Sequence, residues 1–184
     1  FMELKKIVPT LEIYSARVIC ASYLPEWRKG VDYRKIYSAQ KEMGGDVCID
    51  LIHEWDYLVD LFGFPLESYS FSGHYSNLEI NSDDISVYIA RYKNLLAEIH
   101  LDFVRRGYER TIELLTNEGD VKADFGKGTV TLANGEVIDC AENTNQWYLR
   151  EMEYFLNYAT GKEQNSINTP QKAYDILKLA LGVK

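Results

Sequence analysis

Apolar positions recur along this chain with two different periods. Between residues 48 and 62 the period is that of a helix. Cys48, Leu51, Ile52, Trp55, Leu58, Val59 and Phe62 form one stripe at 100° per residue. Asp50, His53, Tyr57 and Asp60 fall on the opposite face. The spacing predicts a helix over 47–62, entered through Gly44-Gly45 and closed by Gly63. Elsewhere the period is two. Leu11 to Leu24 reads as a long strand, and shorter alternating runs follow at 66–71, 85–92, 95–104, 108–115, 121–125, 129–132 and 136–139. Asn134-Gly135 predicts a hairpin with both residues at the positive φ of a type I′ turn. Tyr92-Lys93-Asn94 and Asn117-Glu118-Gly119 mark two more. Residues 2–8 read as a helix end stopped by Pro9, and residues 25–43 as a polar, mobile loop. Asn145 or Asn143 caps a helix running to Thr160, and Thr169-Pro170 opens a last helix before Gly182.

Short connections between successive strands imply antiparallel pairing. The expected fold is therefore α+β, with helices packed on one face of a large, mostly antiparallel open sheet. The other face mixes aromatic, small and charged residues, and fourteen tyrosines suit a semi-polar contact surface. The expectation is a homo-oligomer paired through that face, with Tyr88, Tyr92, His100 and Asp102 among the residues covered. A monomer with one wetted sheet face is the alternative.

Composition narrows the function classes. A chain of 184 residues is one domain, read here as a lead-in over 1–10 and a folded unit over 11–184. A net charge of −8 argues against nucleic acid as a partner, because phosphates need a basic face. No stretch has the length of a membrane span. Cys20, Cys48 and Cys140 stand at wide, apolar-flanked positions and read as reduced core residues of a cytoplasmic protein. A dinucleotide site needs Gly-x-Gly-x-x-Gly between a strand and a helix. Gly126-Lys127-Gly128 has Thr131 where the third glycine belongs and is followed by a hairpin. No cofactor-binding residue is therefore expected within this chain.

His53 is the best-placed imidazole. A carboxylate one turn earlier, Asp50, can orient the ring and raise its proton affinity, as a general base near neutral pH requires. The same spacing also suits a solvated helix face that carries one histidine. His74 reads as a surface loop residue and His100 as a strand residue on the mixed face. Asp50, His53 and Asp56 spread over about 120° around a helix, too far to converge on one ion. No metal site is therefore expected, and a metal-dependent hydrolase built on those three is the weakest reading. Trp27, Arg28, Tyr33 and Arg34 give the loop before the helix rings to stack and guanidinium groups to bind oxygens, which suits a polyol or sugar.

The run Tyr23-Leu24-Pro25-Glu26-Trp27-Arg28, then Asp32-Tyr33-Arg34, then Gly44-Gly45-Asp46-Val47-Cys48-Ile49-Asp50-Leu51-Ile52-His53-Glu54-Trp55-Asp56-Tyr57-Leu58 resembles one stretch of a known family. This is the glucose–fructose oxidoreductase / inositol dehydrogenase (Gfo/Idh/MocA-type) family of nicotinamide-dependent oxidoreductases. Asp46 stands where many relatives carry a third glycine. The resemblance implies a glyceraldehyde-3-phosphate dehydrogenase-like C-terminal domain. It also implies a catalytic His53 beside Asp50, and a sugar, sugar-derivative or cyclitol substrate. NAD or NADP would be bound by a Rossmann domain that this chain lacks, together with that domain's Glu-Lys-Pro lysine. On this reading the chain is the substrate-binding half of a longer enzyme and is inactive alone. A non-catalytic oligomerisation or binding module of the same fold is the runner-up.

Overall fold

The computed structural model describes residues 1–183. A short helix, α1 (Met2–Ile7), leads into the first strand, β1 (Ile13–Ala21). Leu4 of α1 is fully buried in the common core. A chain of 3₁₀ turns at 24–26, 33–35, 37–39 and 41–43 reaches α2 (Val47–Asp50) and α3 (His53–Phe62). Strands β2 (Glu67–Gly73), β3 (Ile85–Arg91), β4 (Leu96–Asp102), β5 (Glu109–Thr116), β6 (Gly119–Asp124), β7 (Thr129–Thr131) and β8 (Val137–Asp139) follow. The chain closes with α4 (Thr144–Ala159) and α5 (Pro170–Ala180).

The strands form one eight-stranded sheet in the order β2-β3-β4-β1-β5-β6-β7-β8. All neighbours are antiparallel except β1 and β4, which run parallel. This is the expected α+β architecture. The three hairpins stand where the turn residues put them. The β7–β8 turn differs in type. Gly135 has φ 85°, no non-glycine residue has positive φ among the described residues, and Gly135 N–H donates to Leu132 O. This is a type I turn with glycine in the bulge position, which relieves Asn134 of the positive φ that a type I′ turn demands.

Alternation along the strands separates two faces. Ala16, Val18, Ala97, Ile99, Leu101, Ile112 and Leu114 point into the core beneath the helices. Tyr88 and Tyr92 point there too, which corrects their expected place on the open face. Tyr88 pairs across the sheet with Ile99, meets Trp55 of α3 edge-on at 5.3 Å, and donates its hydroxyl to Ala180 O of α5 at 2.7 Å. The phenol finds its polar partner at the end of a helix, so an aromatic with a polar tip suits the core. Asp102 lies on the outer side but is itself buried, and its Oδ1 accepts the Val104 and Arg105 amides. The open face is built instead from Tyr69, Phe71, Val87, Ile89 and Leu96 around the ion pair Arg17–Glu98.

The expected single helix over 47–62 is broken. Leu51 leaves helical geometry at φ −103°, ψ 20°. Ile52, Glu54 and Trp55 bond back to the third residue before them rather than the fourth. Such steps advance the chain by about 120° per residue instead of 100°. The face of α3 slips accordingly: Glu54 and Tyr57 turn inward and are buried, where the regular pattern put Tyr57 outside. At the far end, Asn143 Oδ1 caps α4 by accepting the Asn145 amide. Helix α4 is exposed along its length, with Trp147, Phe155 and Leu156 each at least half exposed.

Candidate active site

The site begins at Gly45. A Cβ there would sit 2.0 Å from the carbonyl oxygen of Tyr37, so only glycine lets the 3₁₀ turns lie this close to the start of α2. The turns are pinned from β3's approach: Ser82 Oγ donates to Ser38 O, and the Asn81 amide to Ala39 O. This seats Tyr37 over Asp50. The Asp50 carboxylate holds the Tyr37 hydroxyl above its ordinary pKa, while the Arg28 charge pulls the other way. Asp50 Oδ2 is buried and has no hydrogen-bond partner.

At the first residue of α3, His53 is about two-fifths exposed at its side chain, above a buried polar cluster. Its Nε2 lies 3.1 Å from Glu54 Oε1 and 3.8 Å from Cys20 Sγ. Arg110 Nε donates to the same Glu54 oxygen at 2.6 Å. Sheet register delivers Arg110, because it pairs across the strands with Cys20. The Arg110 guanidinium also lies 5.0 Å over the Phe125 ring. Burial, then the Glu54 charge, pushes the Cys20 thiol up to about 12, so it is a neutral thiol at physiological pH. Burial and the same carboxylate hold Tyr57 well above its ordinary value. Burial opposes the Arg110 charge, but Glu54, Cys20 and Tyr108 outweigh it. Glu54 is thus a fully buried carboxylate balanced by one partly buried guanidinium, with the imidazole at its edge.

The sequence-derived candidates separate into groups. Asp50 and Arg28 converge on Tyr37. His53 belongs to the Cys20–Glu54–Arg110 cluster, and the carboxylate against its ring is Glu54 rather than Asp50. Trp27 donates to Ser22 Oγ at 2.8 Å and packs edge-on against Phe103. Tyr33 and Arg34 are drawn to Glu79: the Tyr33 hydroxyl accepts its amide, and Arg34 bridges it to Asp32. Glu54, Cys20, Arg110 and Tyr37 were not singled out by sequence reasoning. Among the described residues, Cys20, His53 and Glu54 are the set whose donor atoms lie within 4.8 Å of one another, the spacing of metal ligands.

No family model and no curated protein sequence matches the chain. Solved structures do. UDP-N-acetylglucosamine 3-dehydrogenase GnnA from Acidithiobacillus ferrooxidans superposes over 99% of this chain with TM-score 0.73 at 16% identity. Myo-inositol 2-dehydrogenase from Lactobacillus plantarum does so over 98% with TM-score 0.71 at 17% identity. GenD2 from gentamicin A biosynthesis, in complex with NAD, gives 99%, 0.71 and 14%. The fold is that of the C-terminal domain of Gfo/Idh/MocA-type oxidoreductases. At these identities the likeness is one of fold. The chain spans 56–57% of the length of these three oxidoreductases.

The Gly126-Lys127-Gly128 turn does not offer a dinucleotide cradle. Gly126-Lys127-Gly128 forms the turn between β6 and β7, where the Lys127 amide is already taken by Asp124 Oδ1 at 3.0 Å. A pyrophosphate cradle instead needs free amides at a helix start.

Proposed function

We propose that this chain is the substrate-binding half of an NAD(P)-dependent oxidoreductase. Its substrate would be the hydroxyl or carbonyl of a sugar, sugar derivative or cyclitol. The carrying observation is a pair of polar groups on one short stretch. Asp50 Oδ2 is a buried acceptor without a donor, and three residues on, His53 presents a half-exposed imidazole. A buried acceptor without a donor, three residues before a base in the chain, is what a substrate hydroxyl would satisfy. The fold likeness to sugar and cyclitol dehydrogenases supports the substrate class.

In this reading the proton half of the reaction belongs to His53. Its Nε2 faces Glu54, which as a carboxylate only accepts, so the Nε2 proton stays there. Nδ1 is left to take the proton of a substrate hydroxyl held by Asp50. Arg110 keeps the buried Glu54 carboxylate balanced. A nicotinamide cradled by a second domain would supply the acceptor for the hydride that leaves the same substrate carbon. Self-association through the outer sheet face belongs to the same reading.

The test is turnover of the full-length protein with NAD(P) and a panel of sugars, nucleotide sugars and cyclitols. His53→Ala should lower the rate by about 10² or more, the scale of losing a general base. Undiminished turnover in that variant would leave His53 a structural residue, and no turnover on any substrate would favour a non-catalytic module. The chain alone should show no NAD(P) affinity in calorimetry, and tight binding there sinks the two-domain reading.

A further inference from the structure

Three donor atoms of three chemistries meet under the ring of His53: the Cys20 thiol from β1, the His53 imidazole, and a Glu54 carboxylate oxygen. We propose that they form a site for a thiophilic divalent cation of the Zn²⁺ class, and that filling it switches off proton exchange at His53.

Geometry carries the first half. Tetrahedral zinc with ordinary bond lengths sets its sulfur and nitrogen ligands about 3.6 Å apart, and its nitrogen and oxygen ligands about 3.4 Å apart. Here the separations are 3.8 Å for Cys20 Sγ to His53 Nε2 and 3.1 Å for His53 Nε2 to Glu54 Oε1. These two separations are within a few tenths of an ångström of the ideal ones, and all three donor atoms lie within 4.8 Å of one another. Cys20 and Glu54 are buried while His53 is half-exposed, so three protein ligands stand inside and a fourth position opens outward.

A second observation points to a ligand. Arg110 and His53 both lie on Glu54 Oε1, yet Oε2 of this fully buried side chain has no partner. A buried carboxylate oxygen without a protein donor is an acceptor that a cation or donor would satisfy. Binding balances as thiol plus M²⁺ giving thiolate–M⁺ plus a released proton. The other titratable groups around the cluster are Tyr57, Tyr108 and Arg110, with Asp102 acting on Cys20. Glu54 and Arg110 sum to zero before the ion arrives. Adding a thiolate and a dication leaves +1, so Arg110 restrains affinity.

The second half follows from imidazole chemistry and rests on the proposed role of His53. With a metal on Nε2, the neutral ring must keep its proton on Nδ1, so it no longer accepts one. Metal binding and proton transfer exclude each other.

Cobalt(II) titration of the purified chain tests the site. A thiolate-to-cobalt charge-transfer band should develop in the near ultraviolet, fade when Zn²⁺ displaces the cobalt, and vanish in Cys20→Ser. Arg110→Met should tighten binding about tenfold or more. His53 is half-exposed, so His53→Gln keeps the fold if Cys20→Ser does not, and it should weaken binding by at least tenfold. No band at saturating cobalt overturns the site, as does a band unchanged in either ligand variant. In the full-length enzyme Zn²⁺ should inhibit and a chelator should restore turnover. Cobalt binding without Zn²⁺ inhibition would overturn only the switch, and absence of any dehydrogenase activity leaves the cobalt result standing.

Discussion

At the scale of single residues, the sequence exposes His53 and hides its partners. An imidazole among carboxylates is visible in one dimension. Cys20 and Arg110 become its neighbours only through cross-strand register, and Glu54 only through the slip of α3. Asp46 is a second case. It was read as a substituted glycine, but it is a buried carboxyl whose Oδ1 accepts the Asp83 amide. Burial, then the Asp83 charge, pushes it up to about 6. An unfolded aspartate titrates near 3.9, so the folded state binds the extra proton between these values. Its effect on stability is therefore favourable below about pH 4 and is lost as the pH rises to about 6. Asp46→Asn keeps an acceptor for the amide without the charge. Urea melts between pH 4 and pH 7 should show the variant gaining on the parent by on the order of 2 kcal/mol. A constant gap across that range would show that Asp46 is not the titrating group.

At the scale of elements, caps and turns are well written in the sequence, because they depend on a residue's own backbone preferences. Thr169 Oγ1 accepts the Lys172 amide ahead of Pro170, and Gly63 closes α3 at φ 76°. The break between α2 and α3 has no such mark. Leu51 and Ile52 are ordinary helix residues, and packing against the sheet overrides their preference. The Gly44-Gly45 pair falls between. Its turn is legible, but the need for the second glycine comes from the Tyr37 carbonyl, eight residues away. Gly45→Ala should therefore cost about 2–3 kcal/mol in equilibrium unfolding, the range of an overpacked site. Gly44→Ala, with open space around its Cβ but φ of 82°, should cost about 1 kcal/mol. Equal losses at the two positions would mean that the close approach to Tyr37 is not what selects glycine.

At the scale of the whole molecule, alternation revealed a two-faced sheet but not which tyrosines lay on which face. Tyr88 and Ile89 are neighbours in sequence, and only the helices overhead decide which is inside. The outer face keeps Phe71 three-quarters exposed, and leaves Ile89 and Leu96 of the same face exposed too. If copies pair there, Ile89→Asp should abolish self-association in sedimentation velocity while leaving the melting profile intact. Tyr88→Asp should unfold the chain instead, and an Ile89→Asp variant that still dimerises would move the contact elsewhere. The sheet order has a further consequence in time. β1 leaves the ribosome well before its neighbours β4 and β5: Arg17 and its partner Glu98 are 81 residues apart. At about 5–20 residues per second, β1 waits roughly 4–16 s for its first partner. During that wait its backbone has no strand to pair with. The central strand of the finished sheet is thus an unpaired strand in the nascent chain, and its shelter in that interval has to come from outside the sheet.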